Sequence, residues 1–375
     1  MNLGVYVHVP FCRRACTYCD FYFSTRLANI EEIANCISKE WILRNEEISD
    51  CLIATIYFGG GTPSLLSPRH IESILKVLAG TNPIASDCEF TLEANPEDIT
   101  EKTLEEWLRI GVNRLSIGLQ SLHKPSLEWM RRGHSPDEGL QALKKAKAVG
   151  FKNISVDFIY ALPHLSTDTV AEHLRRIVEE GPTHLSCYEL TCEPRTAYAY
   201  QVKKGHLQPV PEAIAAEQFL MIKEILEHAG YVHYEISNYA LPGFESKHNK
   251  RYWLGLPTVG LGPSAVSFNG SVRTYNVRHN TRYIQAIRQG KRLYEEERLT
   301  PSHLHNEFVM TRLRLKEGIP LRFYADTFGP RALENLNRVV SHWRPDLYER
   351  NTTGLRLTSQ GLLLADHLAA ELFVD

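Results

Sequence analysis

Along the first 230 positions the apolar residues switch between two rhythms. Short apolar runs at residues 4–9, 52–58, 89–93, 114–117, 153–159 and 184–190 are rich in β-branched and aromatic side chains. Several end at proline or glycine, and all have the length of buried strands. Between them lie stretches with apolar residues at helical spacing: 29–45 (Ile30, Ile33, Ile37, Trp41), 68–79, 100–110, 135–149, 167–179 and 211–229. Six strand-then-helix units predict a parallel sheet covered by helices, and right-handed crossovers curl such a sheet towards a barrel. The expected fold class is α/β, a partial (β/α)6 barrel. In that architecture chemistry belongs at the C-terminal ends of the strands.

After residue 230 the pattern changes. Residues 231–275 are short segments rich in Tyr, Gly, Asn and Pro, followed by a helical stretch at 280–289 and the charged run Glu295-Glu296-Glu297-Arg298. From Thr300 the rhythm is helical again, over 301–315, 321–328 and 330–343. The chain closes with Leu355-Arg356-Leu357-Thr358 and a last helix expected over 359–373. Three regions are therefore expected: 1–230 as the barrel, 231–298 as an extension of it, and 299–375 as a small, mainly helical domain with a winged-helix ending. No repeat of 20–50 residues and no low-complexity segment interrupts this order.

Composition narrows the function classes. The chain of 375 residues has 42 basic and 44 acidic side chains and a formal charge of −2, so no global basic field exists to hold nucleic acid. No apolar run is long enough to span a bilayer. The N-terminal stretch has no basic region ahead of its apolar residues, unlike a secretory signal. Five of the eight cysteines (Cys36, Cys51, Cys88, Cys187, Cys192) are scattered without the spacing of a disulfide framework, which suggests a reducing compartment. The expected location is the cytoplasm.

The other three cysteines do cluster. Cys12, Cys16 and Cys19, spaced C-x3-C-x2-C directly after the first strand, can turn three thiolates onto one metal centre. A cubane of four irons would keep one iron open to a ligand that is not protein. A zinc knuckle completed by a distant residue remains open at this point, as does a chance grouping of thiols. Further candidates fall at later strand ends. Gly59-Gly60-Gly61-Thr62 ends the second strand without the Lys-Ser/Thr of a phosphate loop. Glu93 ends the third, Gln120 follows the fourth with Arg132 one loop on, and Asp157 sits inside the apolar fifth strand. A carboxylate there must be paired or functional, because burying it alone is expensive. Singly each has an ordinary structural explanation; together, at successive strand ends, they outline one site.

The cysteine loop, with Tyr18 just before its third thiol, resembles that of the radical S-adenosylmethionine (SAM) superfamily. The resemblance runs on through Gly-Gly-Gly-Thr-Pro, Glu93-Ala94-Asn95-Pro96, the segment from Gly111 to Ser121 and the Arg-Gly-His at Arg132. It covers nearly the whole chain and is closest to the HemN/HemW group of oxygen-independent coproporphyrinogen III oxidases and haem-chaperone relatives. It implies a 4Fe–4S cluster on Cys12, Cys16 and Cys19 and SAM bound near Tyr6, Gly60 and Glu93. It also implies that Tyr18, Gly61, Thr62, Gln120, Arg132 and Asp157 line a second such site.

Within the group two departures favour the haem-chaperone branch. The oxidases carry a further cysteine two residues after the third ligand, where this chain has Phe21, and a longer segment before the loop. In addition, His248-Asn249-x-x-Tyr252-Trp253 resembles the HNxxYW motif of the HemW type, associated there with haem; a neutral imidazole suits haem iron and aromatic faces suit a porphyrin. The resemblance therefore implies a chaperone that binds haem, cluster and SAM and delivers haem to an apo-haemoprotein, by family analogy one at the membrane. The alternatives are the oxidase reaction, a radical decarboxylation of porphyrinogen propionates, and a related radical methyltransferase.

Overall fold

The computed structural model describes residues 2–375. Six strands lie side by side in chain order, all parallel: β1 (Asn2–Val9), β2 (Leu52–Gly60), β3 (Ile84–Ala94), β4 (Arg114–Gln120), β5 (Asn153–Tyr160) and β6 (His184–Glu189). The helices Ile30–Leu43, Pro68–Thr81, Glu101–Arg109, Pro136–Val149 and Thr167–Glu179 connect them, and Glu212–His228 follows β6. Their starts are written into the sequence: Ser67, Thr100, Ser135 and Ser166 each accept a backbone N–H at the first turn, a cap contributing about 1 kcal/mol. Each strand divides its residues between two faces. On β1, Val5, Val7 and Val9 are fully buried in the main hydrophobic core, while Tyr6 and His8 point the other way, into the barrel interior with Tyr57 and His248.

Residues 231–298, expected to extend the barrel, supply both flanks of this one sheet. β7 (Val232–Glu235) and β8 (Asn238–Ala240) form a hairpin antiparallel to β6. The chain then crosses to the opposite edge through the helix Lys247–Trp253, and β9 (Thr258–Leu261) pairs parallel to β1. β10 (Val266–Phe268), β11 (Val272–Asn276) and β12 (Tyr294–Arg298) continue outward, antiparallel. The sheet has twelve strands.

The C-terminal region has its own core, around Val309, Tyr324, Leu336, Trp343, Leu355 and Leu368. The single helix expected over 359–373 is broken into Ser359–Leu362 and Ala365–Ala370. The break falls within Leu362-Leu363-Leu364, whose side chains would be spread around a continuous helix but here all turn to one cavity. The chain turns at Leu364 (φ −116°, ψ 17°), and all three leucines line the large cavity at the barrel mouth. No helix among the described residues is long and apolar enough to cross a membrane.

Candidate functional site

The cysteine loop is closed at its root. Cys12 N–H donates to Ser24 O (3.1 Å) and Ser24 N–H to Pro10 O (2.9 Å), so residues 12–24 leave and rejoin β1 at one point. His8 fastens the loop from below, its Nε2 at 2.9 Å from Tyr22 O. Burial drives this imidazole down to about 4, so it stays neutral and donates to the carbonyl. Gly61 packs beside this root. A Cβ there would come within 2.6 Å of Phe11 O and 2.8 Å of Val9 O, closer than any side chain tolerates, so the glycine run is what lets β2 end against the loop. Gly60 has a φ of 106°, a conformation that favours glycine, and its N–H donates to Glu93 Oε2 (3.2 Å).

Glu93 also accepts from Tyr57 Oη (2.8 Å). Burial and then the nearby Asp157 push its carboxyl up to about 7. Asp157 accepts from Ser116 Oγ (3.2 Å) and is pushed, again chiefly by burial, up to about 6. Two carboxyls poised near neutrality inside one cavity are a familiar mark of a functional site. Gln120 sits where the β4–β5 register slips, with φ 66°; the bulge re-aims its side chain into the mouth. Arg132 is locked by Asn95 Oδ1 (2.6 Å) and Gly118 O (2.7 Å), and its Nη1 lies 3.8 Å from Cys16 Sγ.

These groups share one cavity of about 1400 Å³, lined by Cys12, Cys16, Cys19, Tyr18, Gly60, Gly61, Thr62, Glu93, Gln120, Arg132 and Asp157. Its inner wall is polar. The rest of its lining mixes apolar Ile159, Tyr160, Leu190, Phe219, Ile236 and Leu362–Leu364 with charged Glu189, Glu212, Arg314, Arg344 and Asp366. Two expected residues do not line it. Tyr6 lies deeper in the barrel, its ring stacked on Tyr57 (6.0 Å) and its hydroxyl 3.3 Å from His8 Nδ1.

His248 is further away still, at the N-terminal end of the barrel. Glu89 captures the start of its helix, accepting from Lys247 N–H and His248 N–H (both 3.0 Å) and from Ser246 Oγ (3.4 Å); an anion is well placed at a helix N-terminus. The His248 ring is 1 % exposed and stacks on Tyr57 at 5.0 Å. Thr55 Oγ1 lies 2.8 Å from its Nδ1 and Tyr252 Oη 3.1 Å from its Nε2. Burial drives its pKa down to about 3. The imidazole is thus neutral, as haem iron requires, but both ring nitrogens are already in use. Sequence reasoning missed Tyr57, which holds Glu93, and Asn95, which holds Arg132; a hydroxyl in an otherwise apolar strand was the available signal for the first.

The three thiols stand free and half-buried at the rim. Burial raises Cys12 and Cys19 to about 11, so at neutral pH the loop holds thiols until a metal centre displaces their protons. Among the described residues no three His, Cys, Asp or Glu side chains converge tightly enough for one metal ion as the loop stands. The three thiols line one cavity, at the place where the resemblance puts a cluster.

A family model of the radical SAM superfamily matches residues 6–177, and one of the HemN C-terminal domain matches 299–364. The heme chaperone HemW of Mycobacterium tuberculosis is 33% identical over 369 residues, covering 97% of this chain and 93% of that protein. HemW of Bacillus subtilis is 32% identical over 374 residues, covering 97% of each. The solved coproporphyrinogen III oxidase HemN of Escherichia coli superposes with a TM-score of 0.82 at 22% identity, over 99% of this chain and 90% of that one, which establishes the fold. A parallel barrel with three thiols at its mouth and a HemN-type C-terminal region is the architecture of a radical SAM protein, and membership of that superfamily implies a 4Fe–4S cluster and SAM. Within it, the chain belongs to the HemW family.

Proposed function

We propose that this protein is a haem chaperone that carries a 4Fe–4S cluster on Cys12, Cys16 and Cys19, binds SAM on the polar wall of the cavity, and hands haem to apo-haemoproteins in the cytoplasm or at the membrane surface. The observation that carries this reading is the convergence of the thiols, Glu93, Asp157, Gln120 and Arg132 on one large cavity, whose remaining wall includes Ile159, Tyr160, Leu190, Phe219, Ile236 and Leu362–Leu364 and forms the outer chamber. Carboxylates and amides suit the ammonium and ribose of SAM, with Gly60 and Gly61 presenting backbone at the strand end. When bound, the cluster supplies the electron that cleaves SAM in this superfamily; the chain's part is to bind, orient and exclude water. The curated relatives' name, heme chaperone, supports the choice of cargo.

The outer chamber is the open space for a planar macrocycle. As folded here, His248 cannot reach a porphyrin, because its ring lies inside the barrel base with both nitrogens engaged. We therefore place the haem in the chamber beneath Leu362–Leu364 and give the His248 helix the task of closing the base. Phe21, where the oxidases carry a cysteine, stands 71% exposed beside the loop, which offers aromatic surface at the rim and no fourth thiol. Residues 299–375, with their own core, we read as the unit that roofs the chamber.

The test is anaerobic transfer. Cluster-loaded protein is charged with haem, freed of excess, and mixed with an apo-haemoprotein, and the acceptor's Soret band is followed. Haem should appear in the acceptor stoichiometrically. Multiple-turnover loss of two carboxyl groups from coproporphyrinogen III under the same conditions would overturn the chaperone reading in favour of an oxidase. A haem affinity abolished by His248→Ala at unchanged stability would move the haem to the barrel base.

A further inference from the structure

Among the described residues six arginines line the mouth cavity: Arg13, Arg14, Arg131, Arg132, Arg314 and Arg344. Three are matched by a carboxylate, Arg13 by Asp98, Arg314 by Asp366 and Arg344 by Asp346 (2.9 Å). Arg132 is held by two neutral oxygens, Asn95 Oδ1 and Gly118 O, and its buried Nε has no partner. The remaining two are uncommitted. Arg14 makes one hydrogen bond among the described residues, from Nη1 to Arg132 O at 3.3 Å. The guanidinium of Arg131 has no hydrogen-bond or ion-pair partner among them.

The backbone at Arg131 is strained. The short helix Lys124–Trp129 closes with Arg131 N–H donating to Glu128 O (3.0 Å) and Arg132 N–H to Leu127 O (2.9 Å), the bond pair of a helix whose next residue turns left-handed. That residue is Arg131, at φ 59°, where glycine is the unstrained choice. An exposed arginine held in this conformation costs stability, and residues strained in this way gather at ligand sites. The nearby acids do not account for it. Asp98 is taken by Arg13 and Ser64, and Glu97 lies against the His134 ring (Oε2 to Nδ1, 3.5 Å).

Two free cations from different loops thus share one stretch of the rim, since the tip of Arg14 rests on the residue next to Arg131. Like charges placed together repel unless an anion lies between them. A guanidinium takes a carboxylate through two parallel N–H donors, so the pair offers one fork to each of two carboxylates. Haem carries two propionate carboxylates on one edge and is apolar over its faces. The same cavity supplies apolar wall at Ile159, Leu190, Phe219 and Leu362–Leu364. SAM, with one carboxylate and two positive groups, is the poorer match. We propose that Arg14 and Arg131 are the propionate clamp of the haem chamber and turn the carboxylate edge of the macrocycle toward the cysteine loop. This rests on the haem reading given above and adds which residues hold the cargo and which way round it lies.

The test is anaerobic titration of cluster-loaded protein with haem and with haem dimethyl ester, in which both carboxylates are capped. Wild type, Arg14→Gln, Arg131→Gln, the double variant and Arg131→Gly are compared, with iron content, SAM affinity and thermal unfolding measured alongside. Wild type should bind haem about tenfold or more tightly than the ester, and the double variant should lose that preference by weakening haem alone. Arg131→Gly should weaken haem as much as Arg131→Gln does, yet unfold at a temperature no lower than wild type, because glycine relieves the strained φ. A merely structural arginine would not lower affinity while keeping or raising stability. Haem affinity unchanged in every variant, equal losses for haem and ester, or a loss of SAM affinity instead would each overturn the clamp. If the Arg14 variants fail to take up iron, Arg131→Gly carries the test, and an undiminished preference for haem over its ester there is the refuting result. A wild type that binds neither haem nor ester would defeat the haem reading itself, whereas tight binding indifferent to esterification would defeat the clamp alone.

Discussion

The two ends of the barrel carry the chain's two motifs and treat them in opposite ways. At the mouth the three cysteines are half-exposed, lie on a loop pinned at its root, and face an open cavity. At the base the His248 side chain is sealed in: Glu89 holds the N-terminus of its helix, Thr55 and the outward-reaching Tyr252 take both imidazole nitrogens, and Tyr57 covers the ring. The lesson is that a motif's chemistry and its accessibility are separate properties. Thiols at the mouth are free for metal; the histidine at the base has both ring nitrogens engaged.

Changes at the two ends should therefore fail in different ways. The largest expected effect is at the mouth, where Cys12→Ala should abolish cluster assembly, read as iron and sulfide content, while leaving the barrel folded. Full iron content in that variant would sink the three-thiol assignment. At the base, Glu89→Ala removes the anion that three donors of the helix start share. It should cost about 1–3 kcal/mol, the cost of leaving buried donors unsatisfied, seen as a lowered denaturation midpoint with cluster content intact. His248→Ala leaves Thr55 facing a cavity and should cost about 2–3 kcal/mol; loss of haem binding without loss of stability would show that the base opens.

A smaller effect separates the polar wall from its surroundings by pH. The folded protein holds Glu93 at about 7 against an ordinary 4.5. The folded state thus binds a proton more tightly than the unfolded chain, and this contribution to stability is full below pH 4.5 and lost as pH rises through 7. Across that window the unliganded protein should lose a few kcal/mol, and Glu93→Gln should flatten the curve; an unchanged curve would mean that Glu93 is not the group titrating. The smallest effect is at the rim, where Arg13, about half exposed, pairs with buried Asp98. Arg13→Ala should change stability by less than about 1 kcal/mol, since Ser64 also donates to Asp98 (2.6 Å).

Much of this was legible in the sequence because it rests on local signals. Apolar runs alternating with capped amphipathic segments give the six parallel strands and their helices. The spacing of Cys12, Cys16 and Cys19 and the acids at strand ends give the mouth. What escaped was set by distant partners. β7 to β12 are only three to five residues long, too short for periodicity to register, and take their place by completing the edges of a sheet built earlier in the chain. The depth of His248 was equally invisible, because order along a chain does not say at which end of a barrel a segment docks. The break at Leu364 was not legible, because an apolar run alone does not show whether a helix continues or bends.

One connection sets the order in which the molecule is built. β1 ends at Val9, and its second neighbour, β9, begins only at Thr258. During synthesis at ~5–20 residues per second, the first strand therefore waits about 10–50 s with one edge unpaired. An open strand edge of that kind invites pairing with another chain. The cysteine loop that hangs from β1 is held over the same interval by an unfinished barrel. Nascent chains should thus be most prone to aggregation, and least able to retain a cluster, until the stretch after Trp253 has left the ribosome.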